Sequence, residues 1–394
     1  MIDRRDVLKT ASLTALSYSR VLGANDRIGL GVIGVGNRGS GVMASFQKNP
    51  DVEVRAICDV WGDRTDKALS KAPGAKGFAD HRKLLERTEV DAVLVATPDH
   101  WHKDHSTDCM EAGKDVYCEK PMCRTRDEAP MMVRAARSTK RVLQIGVQQR
   151  SGTPYLESRD LFLKTGALGR ITHIDAIWHG GPSGAGRPQT APARPDNLDW
   201  IRFLGKVPYR DWAPAQYFNF RAFLDFNGGK MTDFGHHWMD AVHMFMGERA
   251  PVSAVFAGGN FFPHSDGRTA PDTCNALFEY DAGFTVMFQS NAYPSGAEYG
   301  ITFYGDKGKL FVNRNRYEFT PAGLGAQAVG KKIPGDITLQ HVRNFLDCVK
   351  SRQLPNGDCA LAAVSIVAPL LAVESYIARQ RLRFDPDRME VVPS

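Results

Sequence analysis

Apolar residues are arranged in two ways along this chain. In the first part they form short, nearly unbroken runs: "IGLGVI" at 28–33, "VEVRAIC" at 52–58, "VDAVLVATP" at 90–98, "KDVYCEKP" at 114–121 and "KRVLQIGVQQR" at 140–150. Between them, 39–46, 100–113 and 127–138 carry helical patterning. Strands apolar on both faces, separated by helices, predict a parallel sheet covered on both sides. After residue 150 the runs change character. "ITHIDAIW", "VSAVFAGGNFF", "CNALFEYDAG", "FTVMFQSNAY", "YGITFYGDKGKLFVN" and "RYEFTP" read as strands split by turns such as 281–283 and 305–308. Residues 338–350 and 360–380 have helical periodicity and are expected to pack back near the first domain. The Gly-, Pro- and Ala-rich stretch from His179 to Asn197 predicts a long loop, either a lid or subunit contact or a tolerated surface insertion.

The first strand enters the turn Gly34-Val35-Gly36-Asn37-Arg38-Gly39, a G-x-G-x-x-G spacing. Glycine-rich turns are common, but a preceding strand, a following helix and a second strand ending in Asp59 narrow the meaning. Gly34 permits the tight turn, Gly36 lets backbone approach a pyrophosphate, and Gly39 allows close helix packing. The helix N-terminus presents free N–H groups to phosphates. Asp59 stands where a carboxylate meets the adenosine ribose, which favours NAD over NADP, with Arg64 nearby softening the preference. Ligands of such sheets sit outside the C-terminal strand ends. Thr97 to His102, Glu119 to Pro121 and Gly146 to Gln148 are therefore candidate site segments.

With 394 residues the chain is long enough for two domains. Its 43% hydrophobic and 24% charged residues are a globular composition. A net charge of +6 without a basic stripe gives no nucleic-acid footprint. The seven cysteines (58, 109, 118, 123, 274, 348 and 359) include no C-x-x-C and read as buried free thiols. Residues 1–24 hold Arg4-Arg5, a modest apolar stretch and a small-residue end, resembling a twin-arginine export signal that would place the protein in the periplasm. The alternative is a short N-terminal helix of a cytoplasmic enzyme. The run is too short and polar to be a transmembrane anchor.

Four ordered motifs carry a resemblance: the Gly34–Gly39 turn, Ala96-Thr97-Pro98 with His102, Glu119-Lys120-Pro121, and "GGKMTDFGHHWMD" at 228–240. Together they resemble the glucose-fructose oxidoreductase, inositol dehydrogenase and MocA (Gfo/Idh/MocA) family of NAD(P)-dependent sugar and polyol oxidoreductases. The resemblance implies an α/β chain with a Rossmann dinucleotide-binding domain at 25–150. A second α/β domain at 151–394 would carry a large, mostly antiparallel sheet, the substrate side and a homo-oligomer interface (dimer or tetramer). It implies NAD contacts from Gly34, Gly36, Asn37, Arg38, Gly39, Asp59, Thr97, Pro98, His102, Glu119, Lys120 and Gln148.

The same resemblance assigns catalysis to Lys120, Asp233 and His237. Alcohol oxidation needs a base near neutrality as hydride leaves carbon. His237 is the expected general base. Asp233, four residues earlier on one expected helix face, would hold an imidazole nitrogen or the substrate hydroxyl. Lys120 would bond the reacting oxygen. Asp233, His237 and Asp240 could in principle converge on a metal, but no cysteine or second histidine stands at ligand spacing on that face, and no metal is expected. Trp200, Arg202, Tyr217 and His236 are candidate contacts to a carbohydrate or polyol, with Trp178 and Arg221 as further possibilities. Three activities fit: a dehydrogenase, a glycoside-cleaving enzyme that oxidises transiently with tightly held NAD, and a non-catalytic NAD-dependent binding protein. The intact Lys120, Asp233 and His237 argue against the third.

Overall fold

Ile28–Ile33 (β1) is buried along its whole length, which is why its sequence lacks alternation. In the computed structural model, which describes residues 27–180, 193–291 and 298–393, β1 pairs in parallel with β2 (Val52–Cys58) and β4 (Ala92–Val95). The short β3 (Lys76–Phe78), β5 (Asp115–Cys118) and β6 (Leu143–Ile145) complete a parallel sheet of order β3-β2-β1-β4-β5-β6. The strand order reverses between β1 and β4, and the crevice at such a reversal is where a ligand fits.

The helix after β1 runs Asn37–Gln47 and buries Val42, Met43 and Phe46. Those side chains share a core cluster with Phe345, Leu346 and Val349 of the late helix Ile337–Ser351. Arg343 and Lys350 of that helix pair with Asp51, and Arg352 holds Asp115 through both carboxylate oxygens at 2.8 Å. The last quarter of the chain thus closes one face of the first sheet.

The second sheet has ten strands in the order β14-β13-β12-β11-β7-β10-β9-β8-β15-β16. They are β7 (Ile171–Ile177), β8 (Ser253–Gly259), β9 (Thr273–Tyr280), β10 (Phe284–Asn291), β11 (Gly300–Gly305), β12 (Gly308–Val312), β13 (Arg316–Pro321), β14 (Val329–Lys332), β15 (Leu382–Asp385) and β16 (Glu390–Val392). Only the β7–β10 pair is parallel. β10 alternates buried and half-buried positions, the mark of a sheet with one covered face. Phe278, Val286 and Phe288 face a core shared with Trp238, Val242 and Leu371. The run Cys359–Ala378, long and apolar enough by composition to cross a membrane, supplies much of this cover and is mostly buried. It breaks at Ile366 into Cys359–Ser365 and Val367–Ala378.

"MTDFGHHWMD" does not form one regular helix. Gly229–Asp233 and Gly235–Met246 meet at Phe234, whose φ is −101°. The Asp233 carbonyl accepts from Lys120 Nζ at 2.7 Å, and the Phe234 ring stacks on Trp178 at 4.7 Å. These two contacts hold the kink.

Candidate active site

A cleft of about 370 Å³ opens at the crevice between β1 and β4, within the range of small-molecule sites. Gly34, Gly36, Asn37 and Arg38 line one wall, with Asp59 and Arg64 at one end and Lys120, Arg221 and Asp233 at the other. Gly34 has φ +86° and would set a Cβ 2.8 Å from the Ala96 carbonyl. A Cβ on Gly39 would lie 1.9 Å from the Gly34 oxygen. At Gly36 the nearest atom to a Cβ is Arg64 Nη1 at 3.4 Å, so this glycine keeps space open and is not needed for packing. Such a cradle fits a dinucleotide diphosphate.

Asp59, at the end of β2, accepts from the Val35 amide at 2.9 Å and the Trp61 amide at 3.0 Å. Burial pushes its carboxyl up, against the opposing pull of Arg64 and these amides. Arg64 lies 5.1 Å from the Trp61 ring and 4.9 Å from the Tyr217 ring. Residues 197–226 fold back over this end of the first domain: Asp199 N–H donates to Val60 O at 2.8 Å and Arg202 pairs with Asp80 at 2.8 Å.

That return sets where the expected carbohydrate contacts lie. Arg202 and Tyr217 line the cleft at its Asp59 end, Tyr217 under Arg64. Trp200 is 2% exposed, stacks on Phe203 and donates to the Arg210 carbonyl, so it is core. His236 is buried with Nε2 3.2 Å from Ser365 Oγ, which donates to Asp240 at 2.8 Å. Asp240 in turn accepts from Arg150 at 2.8 Å. This chain runs behind the site.

Two expected cofactor contacts also stand behind the wall. His102 has Nδ1 2.7 Å from the Pro121 carbonyl and Nε2 2.8 Å from the Thr97 carbonyl, tying together the two loops that carry Pro98 and Lys120. Gln148 donates to Glu119 Oε1 at 3.1 Å, the oxygen that also accepts from Arg38 at 2.7 Å. Thr97, Pro98, Glu119 and Lys120 themselves line the cleft.

At the far end, Lys120 Nζ donates to Asp233 Oδ1 at 2.5 Å, and Arg221 Nε donates to the same oxygen at 3.1 Å. Burial alone would raise the Asp233 carboxyl. The two cations outweigh it and hold the group well below the usual carboxylate range. Asp233 therefore engages Lys120 and not an imidazole nitrogen. His237 Nε2 instead faces Arg314 Nη2 at 3.3 Å, and its ring lies 5.9 Å from Trp178. Burial, then Lys120 and Arg314, hold this imidazole neutral, well below its ordinary range.

Asp99, on the loop after β4, also lines the cleft and accepts from Asn227 Nδ2 at 2.5 Å. Burial pushes its carboxyl up to about 7. Asp233, His237 and Asp240 point to Lys120, Arg314 and Arg150 respectively, and among the described residues no group of three or more His, Cys, Asp or Glu could hold a metal. Arg314 had no signal in the sequence: it sits between β12 and β13, and only the folded sheet brings it to residue 237. The loop expected at 179–197 falls largely on 181–192, and the expected export signal on 1–24; both segments lie outside the described residues.

Residues 28–147 match the NAD-binding Rossmann fold of the Gfo/Idh/MocA oxidoreductase family, and residues 176–394 match its C-terminal alpha/beta domain. The myo-inositol 2-dehydrogenase of Thermotoga maritima is 25% identical over 290 residues, 73% of this chain and 75% of that protein. A glycosyl hydrolase family 109 protein of Solibacter usitatus is 31% identical over 202 residues, 45% of each chain. A levoglucosan dehydrogenase solved with NADH and levoglucosan shares the fold at a TM-score of 0.73, over 94% of this chain and 100% of that one, at 17% identity. With both of its domains matched in order, and with the glycine cradle and cleft in place between them, the chain belongs to the Gfo/Idh/MocA oxidoreductases.

Proposed function

We propose that the protein is an NAD-dependent dehydrogenase that oxidises a secondary alcohol of a sugar, sugar derivative or cyclic polyol. The observation that carries this reading is the Lys120 ammonium on the cleft wall, fixed by both the carboxylate and the carbonyl of Asp233. NAD, when bound, supplies the hydride acceptor. Gly34, Gly36 and Gly39 make room for its diphosphate, with the amides of the following helix facing it. Asp59 stands at the ribose end, which favours NAD over NADP.

Lys120 donates to the alcohol oxygen and stabilises the negative charge that develops there. Asp233 and Arg221 fix its direction. The hydroxyl proton passes to His237 Nε2 as the carbon–oxygen double bond forms, which requires Arg314 to yield that lone pair. Trp178, stacked on Phe234, backs His237 and carries Arg314 over its ring.

A second reading rests on the 31% identity to the glycosyl hydrolase family 109 protein. In it the same groups oxidise a glycoside transiently, elimination and hydration follow, and the hydride returns. Export through residues 1–24 favours this closed cycle, because NADH formed outside the cytoplasm has no ready route to reoxidation. The test is to purify the protein without added cofactor and supply sugars and aryl glycosides while following NADH and released aglycone. NADH accumulation supports the first reading. Aglycone without NADH supports the second, and neither product would overturn both.

A further inference from the structure

Arg314 is a mostly buried guanidinium with no carboxylate in contact among the described residues, the field of Glu119 reaching it only from beyond contact. Its Nη2 meets the His237 imidazole at 3.3 Å and its Cζ lies 5.0 Å from the Trp178 ring centroid. Among the described residues no carboxylate comes within 4.0 Å of it, and its buried Nε has no partner. Glu318, the acid nearest along the chain, and Glu298 are both engaged by Arg316. Glu119 is engaged by Arg38. The segments 181–192 and 292–297 contain no Asp or Glu. Buried charges in proteins are paired or hydrogen-bonded to a counter-group. A cation held against an imidazole and an indole meets neither condition.

Its surroundings are polar and unfinished in the same way. The Tyr155 hydroxyl lies against Gln149 and near Arg314, and neither the hydroxyl nor the Gln149 amide has a well-formed hydrogen bond to described residues. His237 Nδ1 is likewise buried without a partner. Nearby, Lys230 donates only to the Gly180 carbonyl at 2.7 Å and sits 5.0 Å from the Phe234 ring centroid, again with no carboxylate in reach among the described residues. Neither Arg314 nor Lys230 has a carboxylate in contact among the described residues. Neutral sugars and inositols do not supply what is missing.

We propose that the substrate carries a carboxylate, as a uronic or aldonic acid does, and that Arg314 is the residue that reads it. A guanidinium presents two parallel N–H donors that match a carboxylate, and the Tyr155 and Gln149 donors can complete its coordination. The carboxylate also draws Arg314 away from His237 Nε2, so the lone pair becomes free when the correct substrate is seated. Substrate recognition and release of the proton acceptor are then one event. A single negative charge suits Arg314, the cation in contact with His237, with Tyr155 and Gln149 as neutral donors, whereas Lys230 is bonded to the Gly180 carbonyl and a phosphate dianion asks for more than one free cation.

This inference rests on the dehydrogenase reading, and the experiment separates the two. Holoenzyme, loaded with NAD, is given matched pairs of the same ring stereochemistry: galactose and galacturonate, glucose and glucuronate, and each 6-phosphate. For the pair whose ring is accepted, kcat/KM for the uronate is expected to exceed that for the neutral sugar by about 10- to 100-fold, the worth of a hydrogen-bonded charge. In Arg314→Gln that ratio collapses toward one, through KM more than kcat, and Arg314→Lys restores part of it. Calorimetric titration of uronate into the NAD complex of wild type and Arg314→Gln gives a readout that does not need turnover. If no sugar yields NADH yet uronate binding still depends on Arg314, the dehydrogenase reading fails and the carboxylate site stands. A wild-type preference for the neutral sugar or the phosphate, or an undiminished ratio in a folded Arg314→Gln, overturns the carboxylate site.

Discussion

Lys120 and Asp233, 113 residues apart in the chain, hold each other across the cleft, with Nζ 2.5 Å from Oδ1 and 2.7 Å from the Asp233 carbonyl oxygen. One comes from the end of a strand in the first domain, the other from the kink between two helices of the second. Each fixes the other's rotamer, so the ammonium is aimed before any substrate arrives. Lys120→Ala is expected to lower kcat by about 10²- to 10⁴-fold while leaving NAD affinity nearly unchanged. Stopped-flow NADH formation and calorimetry with NAD read the two quantities separately, and near-normal turnover in this variant would remove Lys120 from the chemistry.

Two glycines of one turn should respond differently to the same added methyl. Gly36→Ala meets only the tip of Arg64, so the protein should melt as wild type does, yet its new Cβ occupies the diphosphate's approach. Gly39→Ala collides with the Gly34 carbonyl and should lower the melting temperature even without cofactor. Thermal melts of the cofactor-free variants, followed by NAD titration, distinguish the two. Loss of NAD affinity without loss of stability at position 36, about 100-fold or more by the cost of a blocked contact, is the informative outcome.

Asp99 provides a pH test. Its carboxyl is pushed up to about 7 by burial, against an unfolded value near 3.9. Between those values the native state keeps a proton that the unfolded chain has released, so this group's contribution to stability falls as pH rises from about 4 to about 7. Above that window the native protein carries a buried carboxylate whose cost is no longer changing. Asp99→Asn fixes the neutral form and keeps an acceptor for Asn227. It should therefore be more stable than wild type at pH 8, by roughly 1–3 kcal/mol more than at pH 4, where the two should differ little. Equal differences at both pH values would show that Asp99 does not titrate in this range.

What the sequence disclosed follows from how local each signal is. The strand Ile28–Ile33 and the turn after it are written in consecutive residues, and both were legible. β3 was not, because Lys76-Gly77-Phe78 is three residues long and mostly exposed. The helix Gly62–Leu69 was also missed: only Thr65 and Ala68 are buried, too few to draw an apolar stripe. Trp200 and Tyr217 read as sugar contacts because an aromatic residue looks the same in a list whether it faces ligand or core. The bridge from Leu198 to Trp61, with Asp199 on Val60 and Arg202 on Asp80, brings their segment over the Asp59 end of the cleft. Lys120, Asp233 and His237 were named through resemblance, but their pairing was not: helical spacing put Asp233 beside His237, and the kink at Phe234 gave Asp233 to Lys120 instead.

The export reading makes a prediction of its own. Residues 1–24 carry Arg4-Arg5, and a twin-arginine signal fails when both arginines become lysine, since the signal is read by a receptor and not by charge alone. A fusion of residues 1–30 to a reporter active only after folded export should work in the native form and fail with Arg4→Lys and Arg5→Lys together. Equal export of both forms, or none of either, would assign these residues to the cytoplasmic alternative or to a different route.

The adjacent histidines of "GHHWMD" should separate cleanly under the same substitution. His236 is fully buried, bonded to Ser365 and through it to Asp240, whose other oxygen pairs with Arg150. Glu248 takes the remaining Arg150 donors at 2.8 and 2.9 Å. None of these groups lines the cleft, and neither does His237; what separates the two is that His237 faces Arg314 and Trp178, not Ser365 and Asp240. His236→Gln disturbs this network and should cost about 1–3 kcal/mol of stability, the penalty of a buried hydrogen-bonding group left badly paired. The folded fraction should keep its kcat. His237→Gln leaves that network intact but removes the imidazole proposed to accept the proton, so kcat should fall by about 10²-fold or more with little change in melting temperature. Its pH–rate profile should also lose the limb due to the base, which a packing defect would not produce. If His236→Gln instead loses turnover and keeps stability, the roles of the two histidines are reversed and the proton path must be redrawn through Ser365 and Asp240.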